Sequence, residues 1–254
     1  MKNNRIVRNR INNRFIPNIF TMMNMFLGFT ALILIINGDP MRAVWFVFFA
    51  GVLDAFDGKL ARILQIESLF GTEFDSFADT ISFCVTPSVL IYTTWVDGLH
   101  PFIAIVLSFI PLLFGTIRLA KFNLIPNDKP KNYYTGLTTP FYALILFGFF
   151  LFSNQQFGTN GDSRIALAIA ITMGFAMISP IKFAKIPYLS INKGFMNNLR
   201  LISALLLFAS IIIWQGIILF PALIVYFLWS LINWIVKPDR MELAQRLLPS
   251  QQEN

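Results

Sequence analysis

Two stretches, residues 201–213 and 217–236, hold no charged side chain and are edged by Arg200 and Lys237. A hydrocarbon core about 30 Å thick is crossed by roughly 20 helical residues. Inside it every backbone N–H and C=O must find its partner within the fold. Runs that are continuously apolar, not alternating, satisfy that demand as helices. Of all 254 residues 56% are hydrophobic and only 13% charged, and the mean hydropathy is +0.64. So little charge does not cover a soluble surface. The chain is therefore read as an all-α polytopic membrane protein. That excludes a soluble enzyme, a secreted disulfide scaffold and a sequence-specific DNA reader. The formal net charge of +7 belongs to loops and helix ends, so no nucleic-acid partner is expected.

Cutting the chain at the length of one crossing gives eight candidate spans: 18–38, 42–64, 73–96, 101–122, 137–153, 163–180, 198–214 and 216–236. Cytoplasmic loops carry an excess of Lys and Arg. With the N-terminus inside, Arg42 and Arg164 fall outside and the other 18 of 20 basic residues fall on or beside the cytoplasmic face. Both termini are thus expected in the cytoplasm, in a multi-pass protein of the cell membrane. Within residues 5–16, Val7, Ile11 and Phe15 recur four apart among arginines, the pattern of an amphipathic helix lying in the interface. A basic topogenic tail is the plainer reading of the same residues. With no small-residue cleavage pattern, the N-terminus reads as retained. The organisation expected is a basic interfacial segment at 1–16, a transmembrane domain at 17–236 and a cytoplasmic tail at 237–254. The lone Cys84 offers no internal disulfide, and the lone His100 falls on the outer side.

Four acidic residues stand where a membrane protein rarely places them: Asp54, Asp57, Asp75 and Asp79. An Asp at the centre of a membrane helix costs about 2.5–3.5 kcal/mol on insertion scales. Asp54 and Asp57 are spaced i, i+3 and Asp75 and Asp79 i, i+4, so each pair shares one helix face. Consecutive spans joined by a short turn are antiparallel neighbours, which lets the carboxylates converge. Their mutual repulsion calls for positive charge among them, and Lys59 and Arg62 are too few. Divalent cations suit an all-oxygen donor set: Mg²⁺, Mn²⁺ or Ca²⁺, with two ions sharing the carboxylates. Gly58, Ala61 and Gly71 leave room either for tight helix packing or for a bulky anion. Arg62, one turn beyond Gly58, suits a phosphate oxygen.

Together these residues read D-x2-D-G-x2-A-R-x8-G-x3-D-x3-D, from Asp54 to Asp79. The pattern resembles the signature of the CDP-alcohol phosphatidyltransferase family. Pro17, Asn18, Thr21 and Asn24 resemble the opening of that family's first helix. Residues 71–83 with Pro87, 118–123 and 134–140 are similar to the branch that transfers to serine, the CDP-diacylglycerol–serine O-phosphatidyltransferases. The likeness covers roughly residues 15–235. It departs at Cys84, where Gly is expected, at Phe77 for Leu, at Lys121 for Arg, and at Thr138 and Thr139, where a Pro-containing turn is more typical.

The resemblance implies transfer of a phosphatidyl group from CDP-diacylglycerol to an alcohol, L-serine first, with CMP leaving. It implies two divalent cations, Mg or Mn, held by Asp54, Asp57, Asp75 and Asp79, with Asp79 as general base. It places CDP-diacylglycerol against Asn18, Thr21, Gly58, Arg62 and Ser68, and it implies a homodimer among membrane lipids. A serine carboxylate needs a cation near the second ion, and Arg118, then Lys121, are the candidates at the end of the fourth span. Glycerol 3-phosphate or an inositol compound is the alternative acceptor. A cation transporter is the alternative in kind, set aside because the acids cluster toward one face. A covalent phosphatidyl-histidine route would need two histidine sites, and the chain has one histidine.

Overall fold

The computed structural model describes residues 2–64, 69–124, 133–184, 202, 206 and 208–236. Helices account for most of it. In chain order they are α1 (Lys2–Ile36), α2 (Pro40–Leu64), α3 (Leu69–Asp79), a π-helical segment (Thr80–Val85), α4 (Thr86–Thr94), α5 (Pro101–Ser108), α6 (Ile110–Leu124), α7 (Thr139–Phe157), α8 (Ser163–Ile178) and α9 (Leu219–Val236). Residues 208–213 are also helical. Among the described residues three stretches are long and apolar enough to cross a membrane, Asn18–Ile36, Pro101–Leu124 and Leu219–Val236, and Ser163–Ile178 is a shorter apolar helix. These mark a membrane protein.

The turns follow from local chemistry. After α1, Gly38 takes φ +80°. Its N–H donates to Ile35 O at 3.0 Å, and the Asp39 N–H donates to Leu34 O at 2.9 Å, the pair of bonds that closes a glycine-terminated helix. Asp39 then caps α2, its carboxylate accepting from the Arg42 N–H at 3.2 Å, with Pro40 opening the helix. Likewise His100 accepts from the Phe102 N–H at the start of α5, and Asp162 from the Arg164 N–H at the start of α8. His100 is thus a helix cap, on the far side of the π-segment and α4 from Asp79. The break between α5 and α6 at Phe109 precedes Pro111, whose ring cannot donate to and crowds the preceding turn.

Residues 5–16 do not form a helix apart from the first span, for α1 runs unbroken from Lys2 to Ile36 through Pro17. The expectation of helices alone also needs an addition. Residues Tyr133–Thr135 and Lys182–Ala184 pair as short antiparallel strands, β1 and β2, with Tyr134 opposite Phe183. Gly136 closes this clasp at φ +77° and donates to Ile181 O at 2.9 Å. A Cβ there would collide with the carbonyl of Met177, so only glycine lets β1 pass into α7.

Helix α7 is the hub: Tyr142, Ile145, Leu146, Phe147, Phe150 and Leu151 are all buried. Trp95 at the end of α4 lies against Phe149 and Phe150 and donates from Nε1 to Asn160 O at 2.8 Å. Elsewhere α1 turns Ile19, Met22, Phe26, Phe29, Ile33 and Ile36 outward. That apolar stripe suits lipid, not water.

The π-segment continues the rod of α3 into α4 with a wider turn, the Thr86 N–H reaching Ile81 O five residues back. It packs on α1 through two hydroxyl bonds. Ser82 Oγ donates to Asn24 O at 3.0 Å, and Thr86 Oγ1 donates to Gly28 O at 3.3 Å. Both helices use positions four apart, so the contacts stack as two rungs. Gly28 makes the approach possible, since a Cβ there would lie 2.5 Å from Ser82 Cα. A small residue under hydroxyl bonds is a recurrent way to join membrane helices.

Candidate metal and substrate site

Asp54 lies on α2, Asp75 on α3 and Asp79 at the end of α3 where the π-segment begins. Each offers a carboxylate oxygen such that all three oxygens lie within 4.8 Å of one another. Oxygens on opposite sides of one hard cation, at about 2.1–2.5 Å from it, are about 4.2–5.0 Å apart. The spread and the all-oxygen chemistry therefore fit a divalent ion. Asp57 follows Asp54 by three residues on α2, but its side chain lies outside the described residues, as do those of Arg62 and Ser68. Gly58 is helical within α2.

Asp79 is buried and held at both oxygens. Asn24 Nδ2 donates to Oδ1 at 3.4 Å, and Thr139 Oγ1 donates to Oδ2 at 3.1 Å. Thr139 in turn accepts from Arg118 at 3.3 Å. The result is a directed chain from guanidinium to hydroxyl to carboxylate. Thr139 is the first residue of α7, so the positive end of that helix also faces the carboxylate. The Arg118 charge acts on both Asp79 and Asp54. Two buried polar atoms beside Asp79 have no hydrogen-bond partner among the described residues: Asn24 Oδ1 and Arg118 Nε.

The sequence-derived candidates are distributed unevenly. Arg118 enters the site, whereas Lys121, three residues on, is exposed in the last turn of α6. On α1, Thr21 is buried and Asn18 half-buried, one and two turns before Asn24. Asn123, at the end of the same motif as Arg118, donates to Ser76 Oγ at 3.0 Å and to Glu73 Oε1 at 3.5 Å. It thereby fastens α6 to α3 beside the acids. Thr139 was expected only as a departure in a turn, and Asn24 only as a helix-opening residue; neither was expected to touch Asp79. No local pattern marked them: their burial, which requires each to have a partner, arises only when α1 and α7 pack beside Asp79.

Comparison with known proteins decides the lineage. Residues 14–181 match the family model described as CDP-alcohol phosphatidyltransferase. The chain belongs to that family. Among its relatives, the CDP-diacylglycerol–serine O-phosphatidyltransferase of Helicobacter pylori (strain ATCC 700392 / 26695) is 30% identical over 223 residues, 86% of this chain and 90% of the relative. The enzyme of that name in Bacillus subtilis (strain 168) is 34% identical over 170 residues, 66% of this chain and 89% of the relative. An archaetidylserine synthase of Methanothermobacter thermautotrophicus is 32% identical over 175 residues, 67% of this chain and 70% of the relative. The family match runs from within α1 to the end of α8, and so includes Asn24 and Thr139, the described residues that donate to Asp79.

Proposed function

We propose that this chain makes phosphatidylserine by transferring the phosphatidyl group of CDP-diacylglycerol to the hydroxyl of L-serine, with release of CMP. The convergence of Asp54, Asp75 and Asp79, in a chain of this family with serine-transferring relatives, carries the reading. Asp54, Asp57, Asp75 and Asp79 would hold two divalent cations, Mg or Mn. When bound, such ions neutralise the diphosphate and leave the phosphorus open to in-line attack.

The chain's own residues do the rest. Asp79 accepts the serine hydroxyl proton as the oxygen bonds to the phosphorus that carries diacylglycerol. The bond from that phosphorus to CMP breaks, and CMP leaves with its electron pair. A carboxylate in hydrogen-bond reach is what a weakly acidic hydroxyl requires. Asn18, Thr21, Gly58, Arg62 and Ser68 bind the cytidine diphosphate portion. Arg118 receives the serine carboxylate, for which its buried, unpartnered Nε is a suitable donor; Lys121 assists at the rim. Around this site the chain makes eight crossings, with both termini and the acids on the cytoplasmic side. The basic segment 1–16, membrane domain 17–236 and tail 237–254 make up each copy of a homodimer.

The test is to give the purified protein CDP-diacylglycerol and Mn²⁺ or Mg²⁺, with serine, glycerol 3-phosphate and inositol in parallel, and to measure CMP. Serine alone should support release, a chelator should abolish it, and Asp79→Asn should lose turnover while still binding CDP-diacylglycerol. Activity that survives exhaustive chelation, or Asp79→Asn at full rate, would refute the assignment.

A further inference from the structure

Between the acceptor cation and the base stands one neutral side chain. Thr139 accepts from Arg118 at 3.3 Å and donates to Asp79 Oδ2 at 3.1 Å. It is completely buried, and its place is fixed by three independent constraints. It opens α7, it follows the Gly136 turn, and the intervening Leu137 N–H donates to Ala176 O at 3.0 Å on α8. A hydroxyl has one proton to give. With that proton committed to Asp79, its lone pairs are what Arg118 meets, and so the bond polarity runs one way. Arg118 also has a buried atom, Nε, with no hydrogen-bond partner among the described residues.

We propose that Thr139 is a positioning residue that couples recognition of the acceptor's carboxylate at Arg118 to the orientation of Asp79. The coupling rests on the serine-transfer reading above. An acceptor carboxylate on Arg118 fixes the guanidinium, the guanidinium fixes the Thr139 rotamer, and Thr139 fixes Oδ2. Oδ1, held by Asn24, cannot then rotate away from the hydroxyl. An amino alcohol without a carboxylate can enter but leaves the chain of bonds slack. Discrimination is thereby expressed in the chemical step as well as in binding, as expected where an interaction tightens only as the transition state is reached.

Thr139→Val keeps the shape and removes both bonds, and Thr139→Ser keeps both. The full-length protein is assayed for CMP release with CDP-diacylglycerol, Mn²⁺ and either serine or ethanolamine, the decarboxylated analogue. For Thr139→Val, kcat with serine should fall about 10- to 100-fold, the loss common for partners of site carboxylates and ligands. The KM values for CDP-diacylglycerol and serine should stay within about threefold, as when an interaction made only in the transition state is removed. The kcat advantage of serine over ethanolamine should collapse toward one. Thr139→Ser should recover most of the rate. If Thr139→Val is produced poorly, Thr139→Ala carries the same comparison. A kcat within twofold of the parent, a serine variant no better than valine, or an undiminished serine-to-ethanolamine kcat ratio overturns the coupling. None of these outcomes touches the function itself, which fails separately if the parent protein releases no CMP with serine.

Discussion

Replacing Gly28 with alanine tests whether the seam between α1 and the π-segment sets the geometry of the site. An added Cβ would lie 2.5 Å from Ser82 Cα and 2.6 Å from Ser82 Cβ. The first of these is a backbone atom, so no rotamer relieves it. Ordinary contact begins at 3.4 Å, and the two helices must separate by the 0.9 Å between 2.5 and 3.4 Å. Overpacking of this kind costs about 1–3 kcal/mol, and loss of the Ser82–Asn24 hydrogen bond adds about 0.5–1.5 kcal/mol. The larger effect falls on catalysis. Asn24 sits one turn from Gly28 and reaches Asp79 at 3.4 Å, a distance with no slack. Misplacement by about 1 Å can cost on the order of 100-fold in rate. Gly28→Ala should therefore lower kcat for serine-dependent CMP release about 100-fold and depress Tm in detergent. Adding Ser82→Gly should not restore either, because the Cα remains. A Gly28→Ala protein with parental kcat and Tm would refute the view that this seam positions Asp79.

A second glycine predicts the opposite behaviour. A Cβ on Gly115 of α6 would strike Cys84 Sγ, and it would stand 3.3 Å from Cys84 Cβ. Here the obstruction is a side chain, so Gly115→Ala should destabilise by about 1–3 kcal/mol and Cys84→Gly in that background should recover most of it, read as Tm. At the other end of the bundle, Trp95→Phe removes the bond to Asn160 O. It should cost about 0.5–1.5 kcal/mol and leave kcat unchanged, measured by thermal melting beside the CMP assay.

How much of this was legible in the sequence depended on the range of the interaction. The acid pairs were readable because i, i+3 and i, i+4 spacing fixes a helix face regardless of context, and Asp54, Asp75 and Asp79 do converge. Thr139 was not. It reaches Asp79 from a helix 60 residues later, and only the packing of α7 against the π-segment brings it there. The Cys84 departure likewise had no local meaning until Gly115 was found facing it. The π-segment itself left no periodic trace, since a six-residue widening is too short to shift the apolar pattern of a span.

That widening has a bearing on how the protein tolerates insertion and deletion. Successive residues of an α-helix turn by about 100°, and a π-turn accommodates one residue more than an α-turn over the same rise. Deleting a single residue between Thr80 and Val85 would let the rod wind uniformly. Asp75 and Asp79 would then keep their facing relative to Trp95, because the residue lost is the one the wider turn absorbs, whereas a residue lost from the α-helical turns on either side would swing them by about 100°. The facing of the acid-bearing half of this rod toward its anchored half therefore survives a one-residue loss inside these six residues, and the chain is least forgiving of such a loss in the regular α-helical turns that flank them.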